Sequence, residues 1–537
     1  MDGAGVAPQS GAAAPLPAGS ARAGTIVALA AGLAVLAIAV AVQSPQPAGV
    51  FWDDGVYLIS ARALAAGEGY RFTHLPGAPA AVHFPPGWPL LLAVLWKVWP
   101  DFPANLAMFR YVNPVLGAGA AALACAYGVQ RLRLEPVASA VATVVFAATL
   151  PVLVLYGVLF AEPLFLLLSI CALFVSDRAV RAGGVATAAC AGAMAGAAAL
   201  VRSTGLAFLA AVPLALLLAR RRREAVVAFS VMLAFVAPWQ FWTAAHAADL
   251  APPFRGNYGP YLPWLLDAVR DRGAPFLFAI AAENVQALQR TLSVVFFPVG
   301  VRPVRPLLVV LLVVVFALGF HAAWRRSRVF CLAAAAYAVI VLFWPYAPDR
   351  FAWAVWPLAG LVLALGAAEA AALARHVALP RDARLACASL AVVAAAAVVG
   401  AAFYSARGVS RGWADIAQRR NAARLRPVVE WVNTHTDPGD VVVADGEPLV
   451  HLYTGRRVVP AHVLTPDEYL AGTSLRVAAD DLRALLRAGH ATWAVFSARA
   501  LEADAADLVS SAGGSPRLVP VDTLPGGGVA YRVDWSP

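Results

Sequence analysis

Apolar runs of membrane-crossing length, separated by short breaks that carry arginine, occupy the first three quarters of the chain. At about 20 apolar residues per span, eleven segments qualify, near 24–43, 107–128, 137–155, 163–177, 183–201, 205–219, 225–244, 306–323, 329–345, 351–373 and 385–404. Arg131 and Arg133, Arg178 and Arg181, Arg220 to Arg223, Arg325 to Arg328 and Arg375 to Arg384 fall in alternate breaks. Positive charge marks cytoplasmic loops, so the pattern puts the N-terminus inside and, with an odd number of spans, the C-terminal region outside. Residues 1–23, rich in Ala, Gly, Pro and Ser, read as a disordered cytoplasmic N-terminus. The first apolar run is long for a signal h-region and is expected to stay as a span.

The pattern divides the chain into a membrane domain at 24–404, with outer loops at 44–106 and 245–305, and a polar domain at 405–537. The stretch "PPGWPLLLAVLWKVW" (85–99) is too short to cross, and crossing would reverse every later loop against the charge rule. It is expected to lie in the outer interface, anchored by Trp88, Trp96 and Trp99, with Lys97, the only lysine, beside them. The polar domain reads as a small α/β unit. Its expected elements are an amphipathic helix over 413–436 with Val428, Val429 and Val432 inward, strands at 441–444 and 492–496, and a helix near 479–489. A final pair of strands is joined by "LPGGG" (524–528).

Composition confirms that lipid is the solvent: 61% of the 537 residues are hydrophobic and 13% charged, with mean hydropathy +0.71. The net charge of +10 is taken up by the cytoplasmic arginine blocks and shows no aromatic-interleaved basic face, which argues against nucleic acid. Five cysteines lie inside apolar runs without metal-ligand spacing and read as small core residues.

Charges that the topology does not explain mark the candidate chemistry. Asp53 and Asp54 in "FWDDGVYLIS" open a helix-like stretch with Val56, Ile59, Ala63 and Leu64 on one face, expected to lie flat on the membrane. Helix capping is the plain alternative for one of the two. Glu162 in "YGVLFAEPLF" sits at an outer turn, where an unpartnered carboxylate is costly, although Pro163 makes it a natural helix start. Arg202, Arg255 and Arg350 lie on the outer side, where they break the charge bias and suit an anion such as phosphate; Arg350 could instead pair with Asp349. His83 could bond a substrate, and Tyr258 belongs to the aromatic-rich outer loop. Carboxylates, arginines and aromatic rings gathered on one face suit a sugar carried on a polyprenyl phosphate, with an ionised carboxylate as general base.

"WDDGVYLISARALAAGEGY", "HFPPGWPLLLAVLW" and "YGVLFAEPLFLLL", with weaker echoes in "LVRSTGL", "APWQFW" and "PDRFAWAVWPL", resemble family-39-like GT-C glycosyltransferases over roughly the first 360 residues. That group includes bacterial protein O-mannosyltransferases, aminoarabinose transferases of lipid A and the RgtA/B/C/D-like group. The resemblance implies a polytopic helical membrane protein of GT-C type that performs inverting transfer from a polyprenyl-phosphate sugar, without a nucleotide, on the extracytoplasmic face. It maps a first-loop acid to Asp53 or Asp54, with Asp53 favoured as base by its spacing to Tyr57. It makes Glu162 the second acid, and Arg350 and Arg202 candidates for the lipid phosphate. Aminoarabinose transferases carry a lysine before the Pro-Pro pair where this chain has Phe84, so their phosphate contact does not transfer. The C-terminal domain lacks MIR-type repeats; Asp445 and His451 there read as core or cap residues before acceptor contacts.

The expected function is therefore a glycosyltransferase of the inner or plasma membrane acting on a lipid, glycan or protein acceptor. A transporter or flippase of a lipid-linked or small anionic substrate, and a non-catalytic envelope protein, are the competing readings. No cofactor is called for; the outer carboxylates form no ligand cluster, which leaves participation of a divalent cation open.

Overall fold

The structure is a computed structural model that describes residues 18–298, 302–466, 468–497, 501–511 and 515–536. All eleven apolar runs are helical: α1 Ala18–Ala41, α4 Val112–Gln130, α5 Pro136–Ala147 with α6 Leu150–Gly157, α7 Glu162–Ala182, α8 Val185–Val201, α9 Ala207–Leu218, α10 Arg222–His246, α13 Arg305–Arg326, α14 Arg328–Leu342, α16 Trp356–Ala374 and α17 Arg381–Ser410. Among the described residues, seven helices are long and apolar enough to cross a membrane, or eight if α5 and α6, bent by 63°, are one span. The runs at α8, α9 and α14 are shorter, so length and composition support seven or eight crossings where the sequence pattern counts eleven. The chain is a polytopic helical membrane protein. Residues 18–23, expected to be disordered, are the first turns of α1, and 1–17 lie outside the described residues.

Small residues let the helices approach closely, as membrane packing without a hydrophobic drive requires. At the α13–α16 crossing a Cβ on Gly319 would strike the carbonyl of Val362, and one on Gly366 that of Val315. Outward faces stay apolar, with Ile26, Leu33 and Val310 largely exposed, as lipid contact demands. The arginine breaks meet at one end of the bundle, where Arg326 donates to Leu132 O (2.5 Å) and Arg221 to Arg181 O (3.2 Å).

The opposite end carries α2 Asp53–Ala66, α3 Gly87–Val98, α11 Tyr261–Arg272, α12 Ala274–Phe296 and α15 Asp349–Ala354. Two expectations are corrected here. Helix α2 does not lie on lipid: Val56, Tyr57, Leu58 and Ile59 are all buried because α3 packs on it from one side and the C-terminal unit from the other. In α3, Trp88 and Trp96 point into the protein and only Trp99 is exposed; Trp88 Nε1 donates to Leu159 O (3.0 Å). The outer loop also holds a long amphipathic helix, α12. Its buried Asn284 caps the end of α14 by donating to the carbonyls of Val341, Leu342 and Trp344.

The C-terminal residues form α18 Ile416–His435, β1 Val441–Ala444, α19 Glu447–Thr454, β2 Arg457–Val459, α20 Leu475–Gly489, β3 Trp493–Phe496, α21 Leu501–Ser511, β4 Arg517–Leu524 and β5 Gly528–Asp534. The sheet order is β2-β1-β3-β5-β4, with β1, β2 and β3 parallel and β4–β5 an antiparallel hairpin. Val428 and Val432 of α18 pack under it, as their spacing predicts. Asp445 is occupied by Arg424 (2.5 Å) and Ser497, and the His451 ring donates to Arg456 O (2.7 Å). Both serve the unit's own structure.

Candidate active site

The backbone turns sharply at Trp52 to deliver the two aspartates. Trp52 has φ 68° and ψ −65°, and Asp53 N donates to Phe51 O (2.8 Å). This is a γ-turn that a non-glycine residue holds only when its surroundings impose it. Asp54 closes the turn from within, accepting from Gly49 N (2.6 Å) and Phe51 N (3.0 Å). Burial pushes its carboxyl up to about 6 in spite of these amides. Asp54 thus fastens the loop before the helix, and Asp53 is left to face elsewhere.

Asp53 faces Arg350. Arg350 Nη1 donates to Asp53 Oδ2 (2.5 Å), and its Nε donates to Glu162 Oε1. Arg202 Nη1 reaches the same Glu162 oxygen at 2.6 Å. Each guanidinium lies over a ring, Arg350 at 3.7 Å from the centroid of Phe160 and Arg202 at 5.3 Å from that of Phe351. Four charges, two of each sign, thus form one continuous group drawn from four chain segments. Glu162 is 1% exposed, and an isolated carboxylate that deep would be untenable without these two partners.

Local structure holds each member in place. Glu162 is the first residue of α7, with Pro163 fixing the helix start. The strand-like segment before it is tied down by Asn113 Nδ2, which donates to Val158 O (2.5 Å) and Phe160 O (3.0 Å). Arg202 ends α8 in an extended conformation before the 3-10 turn Ser203–Leu206. Asp349, the expected local partner of Arg350, bonds Thr291 Oγ1 of α12 instead, which leaves Arg350 free to cross to α2 and α7.

Three buried polar atoms of this group have no hydrogen-bond partner among the described residues: Glu162 Oε2, Arg202 Nε and Arg350 Nη2. Two are donors on cations and one is an acceptor on an anion. Such atoms are costly to bury, and together they would satisfy an anionic ligand that also bears a hydroxyl or amine.

The remaining expected residues lie around this group or away from it. His83 donates from Nδ1 to Gly259 O (2.8 Å), and burial pulls its ring down to about 4, so it stays neutral. Its ring packs against Tyr261 (4.3 Å) and Trp52 (5.7 Å). Tyr258 is fully buried, and its hydroxyl donates to Glu447 Oε1 (2.8 Å) and bonds His74 Nε2 (2.8 Å). Arg255 is exposed, and among the described residues its side chain donates only to the carbonyl of Leu250 (3.3 Å); the structure does not bring it to the four-charge group. No three His, Cys, Asp or Glu side chains gather as a metal-ligand group among the described residues.

Trp52, His74 and Glu447 were not legible as site residues. The signal available for Glu447 was weak: "GEPL" (446–449) repeats the Glu-Pro helix start of Glu162–Pro163.

No protein-family model matches the chain, and no curated protein matches it. Two solved structures of ArnT from Cupriavidus metallidurans align along nearly its whole length. The structure bound to undecaprenyl phosphate shares 15% identity at TM-score 0.51, covering 94% of this chain and 97% of that one. The apo structure shares 14% identity at TM-score 0.52, covering 95% and 98%. At such identity the likeness speaks for the fold, and this chain shares the fold of ArnT.

Proposed function

We propose that the protein is a membrane glycosyltransferase that moves a sugar from a polyprenyl-phosphate donor to a lipid, glycan or protein acceptor at the extracytoplasmic face of the inner or plasma membrane. The observation that carries this is Arg350, held between Asp53 and Glu162 with a further buried donor unused. The fold adds support, since a structure of ArnT is bound to undecaprenyl phosphate. That compound pairs an anionic headgroup with an apolar tail, and the four-charge group lies at the helix ends of an apolar bundle.

The chemistry follows from the charges. The donor phosphate takes the unused donors of Arg350 and Arg202, and in doing so draws Arg350 away from Asp53. The released Asp53 carboxylate then accepts the proton of the acceptor hydroxyl or amine as that atom attacks the anomeric carbon. The bond from anomeric carbon to phosphate oxygen breaks, and its electron pair leaves with the polyprenyl phosphate, whose charge the two arginines neutralise. A single displacement of this kind inverts the anomeric centre. Glu162 holds both arginines and presents its second oxygen to an acceptor hydrogen. Tyr258 and His83, bonded to Glu447 and to Gly259 O, shape the wall of the site. Transport would favour charges near mid-membrane on interrupted helices, whereas these four lie at helix ends.

Binding of undecaprenyl phosphate, followed by native mass spectrometry in detergent, tests the phosphate assignment. The wild type binds, and Arg202→Met weakens binding about tenfold or more, the value of one charge-assisted hydrogen bond. Equal binding by both proteins, or none by either, overturns the assignment.

A further inference from the structure

The turn that carries Asp53 is gripped from outside the membrane helices. Tyr453 Oη accepts from Ala48 N (3.1 Å), and Asn421 Nδ2 donates to Val50 O (3.0 Å). Glu447, the first residue of α19, accepts from Trp52 Nε1 at 2.6 Å. The backbones meet with no space between them. A Cβ on Gly55 would lie 2.6 Å from Pro448 Cβ, and one on Gly49 would lie 3.0 Å from Leu449 Cα. The C-terminal unit thus holds the segment 48–55 at nearly every second residue.

Glu447 is the polar centre of this grip. It is 4% exposed, and burial raises its carboxyl above the usual range while Trp52 and Tyr258 oppose the rise. Because the Tyr258 hydroxyl donates to Glu447, His74 must donate from Nε2 to the Tyr258 oxygen. Burial holds His74 well below its ordinary value and therefore neutral, with Nδ1 unpartnered among the described residues. The chain His74–Tyr258–Glu447–Trp52 links the first loop, the second loop and the C-terminal unit, and it ends on the strained residue immediately before Asp53. A tryptophan with φ 68° relaxes unless both ends of its side chain are held. Here the ring is packed by His83 and Tyr258, and the indole N–H is fixed by Glu447.

We propose that α19 is a positioning element of the active site, and that Glu447 is its positioning residue, acting on Asp53 through Trp52. The C-terminal unit is then part of the catalytic machinery. This rests on the transferase assignment for Asp53, but the grip itself can be tested without it.

Glu447→Ala, Glu447→Gln and Trp52→Phe are compared in the full-length protein. Glu447→Ala lowers kcat by about 10- to 100-fold, the cost of a misplaced reacting group, with the donor KM unchanged within about twofold because the phosphate contacts lie on other segments. Glu447→Gln restores most of kcat, since its amide oxygen still accepts from Trp52. Trp52→Phe reproduces the loss, and the Glu447→Ala/Trp52→Phe double variant loses no more than either alone. Hydrogen–deuterium exchange rises in peptides covering 48–56 and stays level in α7 and α16. An alanine variant within about twofold of wild type, a Gln variant as poor as Ala, or a double variant that multiplies the losses overturns the proposal. If the wild type transfers no sugar, the transferase assignment has failed and exchange alone decides. A rise confined to 48–56 in Glu447→Ala supports the grip, and an unchanged 48–56 overturns it.

Discussion

Arg350→Lys separates charge from geometry at the centre of the site. Arginine reaches Glu162 with Nε and Asp53 with Nη1 while lying flat on Phe160. Lysine keeps the charge but offers one nitrogen on a shorter reach, so with donor bound it cannot hold Glu162, meet the phosphate and stack on Phe160 at once. At least one charge-assisted hydrogen bond, worth about 1.5–3 kcal/mol, is lost, along with a ring contact worth about 0.5–1 kcal/mol or more. A loss of about 2–4 kcal/mol in the transition state corresponds to a fall of roughly 30- to 1000-fold in kcat/KM. Stability changes less, because Glu162 keeps Arg202 at 2.6 Å and the positive charge remains nearby. Arg350→Ala, by contrast, strips one of two counter-charges from a buried carboxylate and costs about 3–5 kcal/mol of stability. The assay is sugar transfer from a polyprenyl-phosphate donor at several donor concentrations, with thermal unfolding of each variant alongside. Arg350→Lys with kcat/KM within about threefold of wild type would show that only a point charge is needed, and would refute the bridging role.

Two further outcomes follow from residues near and far from this group. Asp54 titrates at about 6, above its ordinary value, so its protonated form favours the fold. Relative to Asp54→Asn, wild-type stability therefore rises as pH falls from 6 towards 4, by up to about 3 kcal/mol for a shift of about two pH units, and it is lost as pH climbs through 6. A pH-independent difference in stability between the two proteins would refute the assignment. Arg255→Ala leaves transfer within about twofold of wild type, because its bond to Leu250 O does not join it to the four-charge group; a large fall in kcat/KM would place it at the site after all.

What could be read from the residues, and what could not, divides along physical lines. Long apolar runs form helices wherever they occur, and charges stranded at their ends are conspicuous, which is why Asp53, Glu162, Arg202 and Arg350 stood out before the structure brought them together. Their pairing was not legible: Asp349 is the nearer partner of Arg350 in sequence, and only the helix α12, through Thr291, takes it away. That helix was missed because Glu283, Gln286, Gln289 and Arg290 dilute its apolar face below the level of a span. The burial of α2 was missed for a similar reason. A helix with one apolar face reads as interfacial unless its other face is known to meet protein, and here that protein is α19, about 400 residues further on. Strands β1 and β3 and the hairpin β4–β5 carried their own local signals. Glu447 carried almost none, since an acidic residue at a helix start in a polar unit is ordinary until Trp52 and Tyr258 are found against it.

In the proposed mechanism Asp53 takes a proton from an acceptor during transfer of a lipid-linked sugar. The direct measurement offers a panel of polyprenyl-phosphate sugars, with native lipid and protein extract as acceptor, to wild type and to folded Asp53→Asn, and follows each donor by mass spectrometry. Wild type consumes one donor and releases polyprenyl phosphate, while Asp53→Asn consumes it about 100-fold more slowly or worse, as loss of a general base requires. Equal consumption by the two proteins would contradict it.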